Sequence, residues 1–294
     1  MDEKRKAALL LSVGTVMWGS TFLVSKALFA SMSAGVLLSV RFCTAAAVLA
    51  PFAVASARKP SAGRPPLSKT VVPSILLGLS LLGGYAFQLA GLELSGPGKS
   101  AFVTSLYVAF APFVAWPLCG RRPAPLHFVS VGAALAGVWL LADPSGGIAK
   151  GDILTVAGAV CWSFEIALID RLWLPGRSLE ITTGMLTVVA LCSLALIPAM
   201  GGFAIDPAPG AIAGLLYLSV FATSMLMYWQ IRWQPSLGGA VSSLIYIGEA
   251  VIAAAGGAIL LGERLPFKGW IGCLLVVASI LLAFRRELSG GDAG

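Results

Sequence analysis

The sequence predicts an all-α integral membrane protein of ten transmembrane helices arranged as two inverted five-helix repeats, and three observations lead there. The first is composition: 58% of the 294 residues are hydrophobic and 11% are charged, with a mean hydropathy of +0.91. A soluble fold has no place to hide that much apolar surface. The second is segmentation. Apolar runs of about 18 to 24 residues, each long enough as a helix to cross a hydrocarbon core of roughly 30 Å, fill most of the chain. The longest connection between them, residues 56–70, leaves no room for a soluble catalytic domain. The third is the placement of charge. With the N-terminus inside, fourteen Lys and Arg residues, from Lys4–Lys6 to Arg285 and Arg286, fall in cytoplasmic segments, and only Lys99, Lys150, Arg264 and Lys268 fall in outer loops. That bias predicts a multi-pass protein of the plasma (inner) membrane with both termini cytoplasmic. The formal charge of +7 is then a topology signal, and no nucleic-acid partner is expected.

The first span, residues 7–29, is too long for the h-region of a signal peptide and is interrupted by Trp18, Gly19, Ser20 and Thr21, so it reads as an uncleaved helix. Gly14, Trp18, Thr21 and Ser25 share one of its stripes. The second, 34–55, carries Arg41 roughly two turns below the outer surface, where its side chain either snorkels outward or acts as the ion-pair partner of a carboxylate inside the bundle. The third, 71–92, has Pro73 in its first turn, where a missing N–H costs little, and Tyr85 and Gln88 one turn apart in its outer half. Gly98, Lys99 and Ser100 then resemble the end of a phosphate-binding loop. The match fails, because position 93 is Glu93 where the first glycine belongs and no strand precedes it.

The fourth span, 100–119, places Thr104, Tyr107 and Ala111 on one face and Pro112 near the middle, where a proline permits a kink or hinge. The fifth, 126–142, has Gly132 spaced with Ala136 and Ala133 with Gly137, a close-packing pattern. His127 at its entrance reads as a solvated interfacial residue. On the sixth, 152–173, Thr155, Gly158, Trp162 and Glu165 form one stripe, and Glu165 is a carboxylate at membrane depth. The seventh, 180–200, leads to the eighth, 210–230, which opens with Gly210 and Gly214 and ends with Tyr228 and Trp229 at the interfacial level.

The ninth span, 238–262, carries Glu249 within about a turn of the midplane. An ionised carboxylate there is costly, so it faces a cavity or a partner rather than lipid. Ser242, Tyr246, Glu249, Ala253 and Gly256 fall along one side, with Leu244, Ile247, Val251 and Leu260 elsewhere. Glu249 is thus either a functional group or a carboxyl held neutral for packing. The tenth span, 267–284, stops at Arg285 and Arg286. All five cysteines lie in or at the end of apolar runs without CxxC spacing and read as small buried residues, not metal ligands.

The halves 1–145 and 146–294 can be laid over one another. VMWGSTF at 16–22 faces VCWSFEI at 160–166, and TSLYVAFAPFVA at 104–115 faces SSLIYIGEAVIA at 242–253. Because five spans is an odd number, the second copy enters from the opposite side. This is an inverted repeat of the kind whose substrate site lies at the repeat interface in secondary transporters.

MWGSTFLVSK in the first span, Arg41 in SVRFCTAAAV, APF at 111–113 and GEAVIAAAGGAILLGERLPFKGWIG at the end together resemble the EamA family of the drug/metabolite transporter superfamily over essentially the whole chain. Gly262, Glu263, Arg264 and Leu265 followed by Gly272 are the most specific piece. The chain departs from the pattern twice: Arg121 stands where the first half would match Glu263, and Ala250 stands where the second half usually has proline. The resemblance implies two five-helix inverted repeats and export of metabolites or drugs.

The leading functional expectation is a secondary transporter, an exporter of a small organic metabolite such as an amino acid or an aromatic or cationic compound, working by alternating access. Trp18, Tyr107, Trp162 and Tyr246 lie near the middle of their spans on the polar stripes, where they either line a cavity or pack between helices. With Thr21, Tyr85 and Gln88 they are the candidate substrate contacts. Glu249 and Glu165 are candidates for proton coupling or for holding a substrate amine. A passive channel is the alternative, and a membrane-embedded enzyme a weaker one, since there is no HExxH motif, no paired-Asp motif and no cofactor signature. The expected partners are the lipid bilayer and a small-molecule substrate; homo-oligomerisation is left open.

Overall fold

A chain crossing lipid must satisfy its backbone polar groups internally, and this one does so with helices. The computed structural model describes residues 3–59, 63–120, 125–141, 149–206, 208–260, 262 and 266–288. Among the described residues eight helical segments are long and apolar enough to cross a membrane, and two shorter apolar helices cover Phe128–Leu140 and Phe267–Ser279. No strand occurs among them beyond one isolated bridge between Met32 and Ile205. Arg121, Arg122, Ala62 and the Glu263–Leu265 motif lie outside the described residues.

The first three spans are α1 (Glu3–Leu28), α2 (Ala34–Arg58) and α3 (Val71–Glu93), the last preceded by a 3₁₀ turn at Leu67–Thr70. Ser33 caps α2, its side chain accepting from the Val36 N–H. Lys26, expected only as a charge within a span, reaches the end of α3. Its ammonium donates to the carbonyls of Leu92, Glu93 and Ser95, favourable because a cation meets the negative end of the helix. Lys99, from the failed phosphate-loop match, pairs with Asp152 at 2.9 Å.

The fourth span is two helices, α4 (Pro97–Thr104) and α5 (Tyr107–Cys119), and the ninth is likewise α11 (Gly239–Tyr246) and α12 (Gly248–Leu260). The hinge expected at Pro112 lies elsewhere: Pro112 sits within α5, and the break falls at Ser105 and Leu106. There the Leu106 N–H donates to the Val103 carbonyl and the Ser105 hydroxyl to the Phe102 carbonyl at 2.7 Å, so the tightened turn replaces the bonds it gives up. The ninth span breaks at Ile247 although Ala250 stands in the usual proline position. The break also turns Ile247 inward: it was expected away from the polar face and is buried.

Between these lie α6 (Pro125–Leu141), α7 (Lys150–Leu172) and α8 (Ser178–Leu196). The eighth span departs most from a regular helix. It runs α9 (Ala211–Leu216), a π-helix (Tyr217–Met225) and α10 (Leu226–Leu237). The final helix is α13 (Phe267–Leu288).

The most extensive packing joins α3 to α7, α6 to α13 and α2 to α8. Contacts of α1 with α12 are matched by those of α7 with α5, and contacts of α2 with the π-helix by those of α8 with α3. The expected close-packing glycines divide. A Cβ on Gly137 would meet the Gly272 carbonyl at 2.8 Å and one on Gly214 would meet Val24 at 3.3 Å, but Gly132 and Gly210 face open space. Of the two pairs read in the fifth span, only the one containing Gly137 therefore serves the α6–α13 contact.

Candidate functional site

The close approach of α1 to α12 depends on Gly19, whose hypothetical Cβ would lie 2.7 Å from the Glu249 carbonyl and 2.6 Å from Ile252. Across the bundle Gly84 does the same for Trp162, holding α3 near enough to α7 that a Cβ would fall 2.9 Å from the indole. These contacts bring α1, α3, α7 and the two broken spans around one cavity.

Trp18, Thr21 and Phe22 of α1 form one wall, Tyr85 and Gln88 of α3 another. Thr104 and Tyr107 enter from the first break, Tyr246 and Glu249 from the second. Trp162, Glu165 and Ile166 of α7 and Met227 and Gln230 of α10 complete it. All seven candidate substrate contacts and both candidate carboxylates therefore meet in a single space. Among the described residues the lining contains two carboxylates and no Lys, Arg or His.

The rings pack in edge-to-face pairs. Trp18 and Tyr246 have centroids 5.2 Å apart at 85°, and Tyr85 and Trp162 lie 4.9 Å apart at 71°. Each such pair contributes about 0.5–1.5 kcal/mol beyond area burial, enough to hold the walls in shape. Packing and cavity lining, alternatives in the sequence, are thus both true of these rings.

The two carboxylates are held differently. Glu249 accepts from the Tyr107 hydroxyl at 3.0 Å, and this joins α12 to α5 across the two breaks. Glu165 accepts from the Gln230 amide at 2.9 Å. Behind it Gln234 donates to Asp170 and to the Ile166 carbonyl, while Tyr246 donates to Gln234 at 3.3 Å and the Gly239 N–H to Asp170 at 2.6 Å. A polar ladder thus ties α7, α10 and α11 together on one side of the cavity.

Four polar atoms of the lining are buried without a hydrogen-bond partner: Nε1 of Trp18, Nε1 of Trp162, Oε1 of Glu165 and Oε1 of Gln230. A buried group left unpaired costs about 1–3 kcal/mol, so a solute that pairs several of these atoms at once relieves a substantial penalty. The indoles offer donors and Glu165 an acceptor, which suits a solute with both kinds of group.

Arg41 neither snorkels nor pairs with a carboxylate. It is 1% exposed and donates to the Thr223 hydroxyl at 2.6 Å and to the Tyr85 hydroxyl at 3.0 Å, with its guanidinium 4.5 Å from the centre of the Tyr85 ring. It stands behind the Tyr85 wall and outside the lining. Sequence reasoning missed Gln230, which directly follows the interfacial Tyr228 and Trp229 and so reads as a boundary residue. The π-helix before it wraps more residues per turn, and a 3.6-residue count cannot place its face.

A model of the EamA-like transporter family matches this chain twice, over residues 5–142 and again over 149–285. An uncharacterized transporter of Archaeoglobus fulgidus is 27% identical over 95% of this chain and 86% of its own length. The uncharacterized inner membrane transporter YedA of Escherichia coli K12 is 27% identical over 91% of this chain and 87% of its own. One crystal structure superposes with a TM-score of 0.69 at 20% identity, covering 98% of this chain and 100% of that one, a likeness of fold. On the double match, which spans most of its length, the chain belongs to the EamA-like transporter family.

Proposed function

We propose that the protein is a secondary transporter, an exporter of a small organic solute carrying an amine, that works by alternating access around the cavity described above. The chain crosses the inner membrane ten times, as two inverted five-helix repeats at 1–145 and 146–294, with both termini cytoplasmic. The observation that carries this reading is the convergence of Trp18, Tyr107, Trp162, Tyr246, Glu165 and Glu249 on one space. Aromatic faces attract a cation and the carboxylates neutralise it, a combination suited to an amine and poorly suited to an anion. The matched contacts of α1–α12 and α7–α5 support the repeat, since exchanging the halves of an inverted pair maps one contact onto the other.

Glu249 couples the cycle. It accepts a proton or a substrate amine but not both, so release of one is linked to binding of the other. It accepts from Tyr107 on the other broken span, so its occupancy bears on how the two breaks sit against each other.

The test uses the purified protein in proteoliposomes with radiolabelled amino acids and aromatic amines. Saturable uptake that an unlabelled solute on the opposite side accelerates is the expected result. Flux linear in concentration, without trans-stimulation, would make the protein a channel. Orientation is tested separately: a cysteine replacing Ala62 should resist an impermeant reagent in intact cells, and labelling there would reverse the topology.

A further inference from the structure

Arg41 poses a problem that the function above does not use. A guanidinium buried in a membrane protein carries a large desolvation cost, normally offset by a carboxylate. Among the described residues no carboxylate reaches it. What holds it is neutral: the Thr223 hydroxyl on one side and the hydroxyl and ring face of Tyr85 on the other.

The anchor is itself unusual. Thr223 lies within the π-helix Tyr217–Met225, where Ser224 also bonds back to the carbonyl five residues earlier, Ser219, and across to the Ala45 carbonyl of α2. A π-helix is a costly local form that recurs at functional sites. Here it turns two hydroxyl residues toward α2, one onto Arg41 and one onto the backbone a turn further along. The matching span of the first half, α3, is a regular helix, and the seventh span, α8, carries no arginine between Ser178 and Leu196. The device belongs to one side of the molecule only.

Its product is a polarised Tyr85. The phenolic oxygen accepts from Arg41, which leaves the phenolic hydrogen to be donated elsewhere, and Tyr85 lines the cavity. A hydroxyl that accepts from a cation is a stronger donor than one that does not. Beside it, edge to face, stands Trp162, whose indole N–H has no partner. Glu165, one turn along α7 from Trp162, and Glu249 of α12 line the same cavity. The cavity therefore holds a donor under the field of a buried cation at Tyr85, and acceptors at the two carboxylates.

We propose that Arg41 is a specificity-determining positioning residue. Acting through Tyr85, it makes one end of the cavity a seat for a carboxylate or carbonyl oxygen, so that the protein distinguishes solutes bearing both an acceptor and an ammonium from simple amines. It touches no substrate itself. This rests on the reading of the cavity as the transport site and adds the second pole to it.

The experiment measures binding to the purified protein by isothermal titration calorimetry for matched pairs that differ only in a carboxylate, phenylalanine with phenethylamine and tryptophan with tryptamine. The wild type should prefer the zwitterion of a pair. Arg41→Gln, Thr223→Val and Tyr85→Phe should each shift the ratio of the two affinities at least tenfold toward the amine, and Arg41→Lys should recover part of that shift. Tyr85→Phe guards against misfolding of the arginine variants, because it keeps the ring and removes only the hydroxyl. An unchanged ratio in a folded Tyr85→Phe protein, or equal losses for both members of a pair, would overturn the inference and leave the cavity reading standing. A wild type that binds no member of either pair would overturn both.

Discussion

Two parts of the molecule, a helix pair outside the cavity lining and the two broken spans that enter it, are built in different ways. The pair α2 and α8 is fastened at both ends. At one end Arg64 and Arg177 converge on Glu180, at 2.6 and 3.1 Å, and Arg64 also donates to the Gly176 and Ser56 carbonyls. At the other, Ser33 bonds to Gly202 and Ala204, the Asp206 N–H to the Ser31 carbonyl, and Met32 bridges Ile205. The α4–α5 and α11–α12 spans are each tied to α7 instead, by the Lys99–Asp152 pair and by the Gly239 N–H on Asp170. They are interrupted near their middles, and a side-chain bond from Tyr107 to Glu249 joins one to the other. The contrast divides the bundle into a frame and two jointed arms, an arrangement that suits the alternating-access cycle proposed above.

Breaking the frame should cost the most. Glu180→Ala leaves two largely buried guanidinium groups facing each other, and removing one partner of a buried ionic cluster costs about 3–5 kcal/mol. We expect a large drop in the melting temperature of the detergent-solubilised protein. A shift no larger than that of an exposed-site control would mean that the clamp is not what holds α2 to α8.

Opening the cavity should cost function and not folding. Trp18→Ala, Tyr107→Ala and Trp162→Ala should each raise the apparent KM about tenfold, the scale of one lost aromatic contact of about 1.4 kcal/mol. Expression and the gel-filtration profile should stay normal. If transport is unchanged in all three, the rings only pack.

The smallest effect sharpens the contrast between the two arms. The ninth span breaks at Ile247 without a proline, and Ala250 lies in the first turn of α12 with its N–H bonded to the Ile247 carbonyl at 3.0 Å. Ala250→Pro removes that bond in a first turn, where proline is tolerated, so the change should stay within about 1 kcal/mol and about twofold in rate. A severe loss of transport would show that the regular amide there, and not the break, matters to the arm.

The cavity was legible in the sequence because polar and aromatic side chains at mid-membrane depth are conspicuous against an apolar background. Trp18, Thr21, Trp162 and Glu165 fall on helical stripes that remain regular, and the structure keeps them together. The joints were not legible. Pro112 drew the hinge to itself, whereas the break at Ser105 depends on a serine hydroxyl bonding back to Phe102, a pattern that serines in ordinary helices share. Gln230 and the inward turn of Ile247 were hidden for a related reason: one follows the π-helix and the other sits at the break itself, and there a fixed period assigns the wrong face. The role of Arg41 needed the π-helix, since a pairing argument looks for a carboxylate and its partners are hydroxyls.

The central claim is that Glu249, at the junction of the two arms, links proton and substrate binding. The most direct test is the pH profile of transport in proteoliposomes for the wild type, Glu249→Gln and Glu249→Asp. The account predicts a flat profile for Glu249→Gln, because the amide cannot exchange a proton, and a retained but weakened pH dependence for Glu249→Asp. Normal transport by Glu249→Gln with the wild-type profile would contradict it.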